Sequence, residues 1–225
     1  MSVGAYPWDA TSEALSAATP ESNSCGQSSA LFTITFDDLP HFSPSDPSTA
    51  VFPPIFNPYS KLYFDNHFSY VPPASDPFSP HSSPQLAVFR TTGIGAEGSP
   101  DAGLESPGEI GAGPHASDNA YWINAHSVWL GCSDGGPTGC EVTIDGYTYG
   151  NTVPTTSQMI TSPPCPGLKN CSLSFVAFNE DMVGLVALQI NAAVAGKAVD
   201  YHIDDLKLEW SNNTCAAQLE RSSSE

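Results

Sequence analysis

Two short segments, one near each end of this chain, break the two-residue rhythm of a β-strand in the same way. Phe32, Ile34 and Phe36 alternate along one strand face, yet the next apolar residue, across Asp37-Asp38, is Leu39. Near the finish Val199, Tyr201 and Ile203 keep odd parity, and across Asp204-Asp205 the residues Leu206, Leu208 and Trp210 keep even parity. Side chains alternate strictly along a strand, so a parity flip marks an inserted residue, and both Asp pairs are expected to sit in β-bulges. A chain with strands at both ends and matched irregularities in them is constrained to a sheet structure whose first and last strands carry related sites.

The stretch between agrees. Runs of β-type residues over 31–36, 61–70, 85–90, 121–131, 140–149, 153–160, 171–178, 183–191 and 198–210 are separated by clusters of Pro, Gly, Asn and Asp. That spacing predicts an all-β fold, a jelly-roll-like antiparallel β-sandwich in a single domain over 25–217, with helix limited to single turns. Residues 1–24 lack periodicity and read as a flexible tail, and 218–225 as a second one. Residues 91–119 hold Gly at 93, 95, 98, 103, 108, 111 and 113, and read as a long structureless loop.

Charge excludes some partners. Lys and Arg number 6 against 24 Asp and Glu, a formal net charge of -18. Nucleic acid and anionic polysaccharides need clustered cations, so neither is expected. No apolar run reaches the roughly 20 residues of a membrane span.

Six cysteines sort by spacing. Cys132 and Cys140 bracket one short turn-rich loop, Cys165 and Cys171 another, and Cys25 and Cys215 stand outside the first and last strand runs. Six cysteines allow 15 connectivities, of which this local, local, terminal arrangement is the preferred one. An even count without C-x-x-C, together with the sequons at Asn170 and Asn212, points to an oxidising route and an extracellular, glycosylated protein, expected as a monomer. Residues 1–24 contain neither a basic nor an apolar stretch of the signal-peptide kind, so Met1 is read as a start codon added to a mature or truncated chain, with an unconventional export route as the alternative.

Chemistry is carried by two constellations. Calcium takes six to eight oxygen ligands, and a bulge frees carbonyls beside its carboxylates, so Asp37, Asp38, Asp204 and Asp205 are expected to share one structural calcium joining the terminal strands; the alternative is that they only start turns. The closing run Val199-Asp200-Tyr201-His202-Ile203-Asp204-Asp205-Leu206-Lys207-Leu208 resembles the last strand of jelly-roll carbohydrate-binding modules that hold a structural calcium. The opening Ile34-Thr35-Phe36-Asp37-Asp38-Leu39, with the Pro-rich segment and Tyr59-Ser60-Lys61-Leu62 after it, is similar to secreted β-sandwich proteins of fungi and bacteria, without the Glu usual in the opening strand. The resemblance implies a secreted glycan-binding scaffold.

The second constellation is aromatic. Tyr121, Trp122, Trp129, Tyr147 and Tyr149 are candidates for a platform, because flat rings offer area to the C–H faces of a neutral sugar at low entropic cost. Trp122 and Trp129 have opposite parity, so at least one is expected to face the core if their strand is regular. No catalytic residue can be singled out. Asp134, Glu141, Asp145, Glu180 and Asp181 are carboxylate candidates for a hydrolase, and His67 or His126 with Tyr63 or Tyr121 for a lyase, but sequence spacing cannot show the separations such chemistry needs. The six histidines lack zinc-binding spacing. The expected function is therefore binding of a neutral glycan or cell-wall polysaccharide; the alternatives are a hydrolase or lyase on the same scaffold and a secreted structural or host-interaction protein.

Overall fold

The computed structural model describes residues 29–42, 52–71, 77–92, 107–134 and 136–223. The tail expected over 1–24, Cys25, and residues 93–106 of the Gly-rich stretch lie outside them.

Two antiparallel sheets face each other across one core. The first holds β3 (Phe68–Tyr70), β4 (Ala87–Phe89), β12 (Tyr201–Trp210), β6 (Ile123–Cys132) and β9 (Ser174–Ala177) in that order, with β1 (Leu31–Ile34) also on β12. The second runs β2 (Tyr63–Phe64), β5 (Glu109–Gly111), β10 (Ala187–Val194), β7 (Cys140–Tyr147), β8 (Thr156–Ser162), with β11 (Lys197–Ala198) on β10. Inward residues of both, among them Val128, Leu130, Ile203 and Leu208 from one and Val142, Ile144, Leu188 and Ile190 from the other, form a single buried cluster. The first and last strands lie side by side as expected, with Ile34 opposite Leu206.

Each of the nine expected runs contains strand. The expected loop was too generous: Glu109–Gly111 is the buried strand β5, three residues that are too short to show alternation. At the other end, residues 218–223 of the expected tail belong to α1 (Cys215–Ser223), a helix of nine residues and more than a single turn. Thr214 starts it, its Oγ1 accepting from the Ala217 amide at 3.4 Å. Arg221 fixes it: the buried guanidinium donates to the carbonyls of Ala120 and Asn212, the latter at 2.9 Å, and lies 4.6 Å over the Trp210 ring.

The disulfides Cys132–Cys140 and Cys165–Cys171 form as expected. The first joins the end of β6 to the start of β7 and so ties the two sheets together. Cys215 is disulfide-bonded as well, and its expected partner lies outside the described residues.

The outer face of the first sheet is not bare. Val71, Phe78, Leu86, Val88, Cys165, Cys171 and Leu173 make a second small core there, roofed by segments 77–86 and 165–173. Gly131 admits the roof: a Cβ at this position would lie 2.2 Å from the Phe78 ring. His202 is sealed beneath, 4.9 Å from Phe78 and 3.1 Å from Ser133 Oγ, and burial pushes its imidazole down to about 3, so it is neutral.

Candidate functional site

The two Asp pairs differ. At the finish the bulge is real: Asp204 lies opposite Trp129 and Lys207 opposite Ser127, three steps against two, and Asp205 takes φ 46. At the start the strand ends at Ile34, Phe36 takes φ 62, and Asp37 and Asp38 lie in the turn closed by Leu39 N–H on Phe36 O at 3.3 Å. Ile34, Phe36 and Leu39 are all buried, so the parity flip is present, but a turn, not the expected paired bulge, produces it.

Both pairs grip one segment. Asp204 accepts from the amides of His81 at 2.7 Å and Ser82 at 3.0 Å, and Asp37 accepts from the Gln85 amide at 3.0 Å. Asp205 meets His81 Nδ1 at 2.5 Å, and Asp38 accepts from the Tyr59 hydroxyl. The edge of β12 explains the arrangement: β4 pairs with Tyr201 to Ile203 and β1 with Leu206 to Glu209, leaving Asp204-Asp205 where the neighbour changes. There the carboxylates take amides from the chain leading into β4. Burial, more than the neighbouring Asp205 charge, pushes the Asp204 carboxyl up to about 7 against the pull of the Asp205, Ser82 and His81 amides.

These oxygens are of the kind calcium takes, and the Gln85 side-chain amide, buried on the same segment, has neither its oxygen nor its nitrogen bonded. Among the described residues, however, no three His, Cys, Asp or Glu side chains converge as a metal cage.

The aromatic candidates separate into three environments. Tyr121 is 1% exposed beneath His115, its ring 4.2 Å away, and offers no face to a ligand. Tyr147 is buried too, donating its hydroxyl to Gln189 at 2.9 Å. Trp122 and Tyr149 come together on the surface, rings 6.0 Å apart and 28° from parallel, with Tyr149 54% exposed. Trp122 is pre-oriented: its indole N–H donates to Ala116 O at 2.9 Å, and it packs on the cluster of Tyr147, Val186 and Ala187.

Trp129 belongs elsewhere. It stacks on His81 at 3.7 Å and meets the exposed Phe175 edge-on at 5.6 Å. Together with Ser79, Pro80, Asn170, Cys171, Ser172 and Leu173, the Trp129 and His81 rings line a cavity of about 360 Å³, with no carboxylate among the described residues of its wall. Neither Trp faces the core, against the expectation from parity, because β6 is irregular as well. Ser127 faces Lys207 while Ala125 faces Leu208, so His126 is an extra residue; Ile123 and Ala125 point inward before it, Val128 and Leu130 after it. The signal was present in the sequence as the shift from odd to even apolar positions.

The expected acid and base groups do not pair. His67 lies 3.2 Å from Asp65 and stacks on Phe89, His126 lies 3.2 Å from Glu209, and Tyr63 and Tyr121 both neighbour His115. Asp145 accepts from Ser157 at 2.6 Å, Glu141 is exposed on β7, Glu180 and Asp181 are exposed, and Asp134 has a buried oxygen without a partner. Asp65, which sequence gave no reason to single out, is buried and accepts amides from His67, Gly108 and Glu109; burial raises its carboxyl.

Fold and surface together define a disulfide-bonded, two-sheet antiparallel β-sandwich with an aromatic pair, Trp122 and Tyr149, on its surface. The chain belongs to a family described as a domain of unknown function, DUF7371, whose model matches residues 28–221. No curated protein matches it. Among solved structures it is similar to a DUF4465 family protein from Bacteroides caccae ATCC 43185, at 14% identity and a TM-score of 0.40, covering 63% of this chain and 72% of that one. Among the described residues no helix is long and apolar enough to cross a membrane.

Proposed function

We propose that this is an extracellular protein that binds a neutral glycan on the Trp122–Tyr149 face without turning it over. The observation that carries the reading is the surface pair of half-buried Trp122, fixed by its hydrogen bond to Ala116 O, and exposed Tyr149, because a flat surface with one ring already oriented loses little entropy on binding. A binding module also fits an acidic surface with few cations, which suits an uncharged ligand. A glycan array with parallel reducing-sugar assays tests it. Expected are binding to a neutral polysaccharide, no release of reducing ends, and a loss of affinity of about tenfold or more in Trp122→Ala and Tyr149→Ala. Sugar release, or binding indifferent to both variants, would sink it.

The calcium at Asp37, Asp38, Asp204 and Asp205 stands as a second proposal, supported by the orphaned Gln85 amide on the segment that both pairs hold. An ion that binds only the folded state raises its stability. Calcium added to chelated protein should therefore raise Tm, and Asp204→Ala should abolish the rise; an indifferent curve leaves the four carboxylates as acceptors alone.

A further inference from the structure

We propose that the cavity beside Trp129 seats the first sugars of an N-linked glycan carried by this chain's own Asn170. Asn170-Cys171-Ser172 is a sequon, and all three residues line the cavity that Trp129 and His81 wall. Asn170 is exposed, takes φ 52, and its side chain makes no hydrogen bond, so the acceptor nitrogen is uncommitted. Its base is rigid: Cys171 is bridged to Cys165 and donates its amide to Pro77 O at 2.8 Å, fixing the loop to the same 77–86 segment that supplies His81.

The other sequon provides the contrast. Asn212 donates Nδ2 to Asn119 at 2.6 Å, and its Oδ1 accepts from Thr214 Oγ1 at 2.9 Å, so its amide is committed within the fold. At Asn170 nothing internal competes, and a sugar attached there starts at the cavity wall. A volume of about 360 Å³ lies at the small end of ligand pockets. Aromatic walls suit the C–H faces of a sugar, and Ser79, Ser172 and His81 add polar residues to the lining. Covalent attachment makes the contact intramolecular, so weak stacking suffices to keep it made. The site is separate from the Trp122–Tyr149 face and does not depend on that face binding glycan.

The full chain secreted from a eukaryotic host, compared with the same chain made unglycosylated in bacteria, tests this. Peptide mass mapping should find hexosamine on Asn170, and proton spectra of the glycoform trimmed to one N-acetylglucosamine should show contacts between sugar C–H groups and the Trp129 indole. Asn170→Gln should lower the Tm of the secreted protein by about 2 °C, the size that one aromatic contact gives a domain like this, and should have no effect in a Trp129→Ala background. An unoccupied Asn170 in the secreted chain, or a glycoform whose sugar protons contact no indole, would overturn the proposal. The spectra need no variant, so a misfolded Trp129→Ala leaves the test intact.

Discussion

The two Asp-Asp-Leu segments share a sequence and hold the same stretch of chain, but they do so at different depths. Asp204 is 0% exposed and receives three donors from segment 81–82. Asp37 is half-buried and receives one from Gln85, and Asp38 is exposed. The position of the flanking strands makes the difference. β12 is interior, with β6 on one side and two successive neighbours on the other, so its bulge is enclosed; β1 lies at the rim, so its Asp pair runs out into a turn. One dipeptide thus serves as an internal staple in one place and a surface pin in the other. Replacing each carboxylate in turn should grade the effects by enclosure.

Asp204→Ala should cost most, about 3 kcal/mol, because it leaves the amides of His81, Ser82 and Asp205 and the Ser82 hydroxyl without their acceptor in a sealed position. Urea unfolding measures it, and a loss no greater than that of Asp37→Ala would erase the contrast. The same residue predicts a pH dependence. Its carboxyl ionises near 7 in the folded state and about 4 when unfolded, so the native state holds the proton more tightly. That contribution is complete below about pH 4 and is lost as pH rises to 7. Asp204→Asn, which cannot titrate, should therefore gain stability relative to wild type across this window; a difference that stays flat with pH would contradict the raised carboxyl.

Asp205→Val comes next, at about 2 kcal/mol. At φ 46 a β-branched side chain crowds its own backbone, a position that Asp and Asn tolerate, and the variant also loses the His81 contact. Asp205→Asn, which keeps both the conformation and an acceptor, should lose much less. Equal losses in the two variants would show that the left-handed backbone is not what the bulge requires.

How far this was legible depends on the range of the interaction. Alternation revealed the strands and both parity flips, because a flip is written into a few consecutive residues. It also contained the irregularity of β6, in the shift from Ile123 and Ala125 to Val128 and Leu130, and reading it would have placed both Trp122 and Trp129 outside. The helix was legible as well: Thr214 followed by Ala216, Ala217, Gln218, Leu219 and Glu220 is a cap before good helix formers. The His81–Asp205 contact was not, since 124 positions separate the pair and only the crossing of segment 77–86 over the sheet brings them together. The same holds for the cavity at Asn170, whose walls come from three separate parts of the chain.

Asp37→Ala should follow at about 1 kcal/mol, one amide losing its acceptor where water can partly replace it. Asp38→Ala should be the smallest, about 0.5 kcal/mol, since the carboxylate itself is exposed and a single hydrogen bond, from the Tyr59 hydroxyl, is lost. Here the sharper readout is the phenol itself. Burial first, and then the hydrogen bond and charge of Asp38, hold Tyr59 far above the usual tyrosine range. Removing Asp38 takes away only the later contributions, so alkaline absorbance titration should show Tyr59 ionising at lower pH than in wild type yet still above the usual tyrosine range. A fall all the way to ordinary tyrosine behaviour would mean that Asp38, and not enclosure, governs this end of the chain, and the grading of the two Asp pairs by burial would fail at its exposed limit.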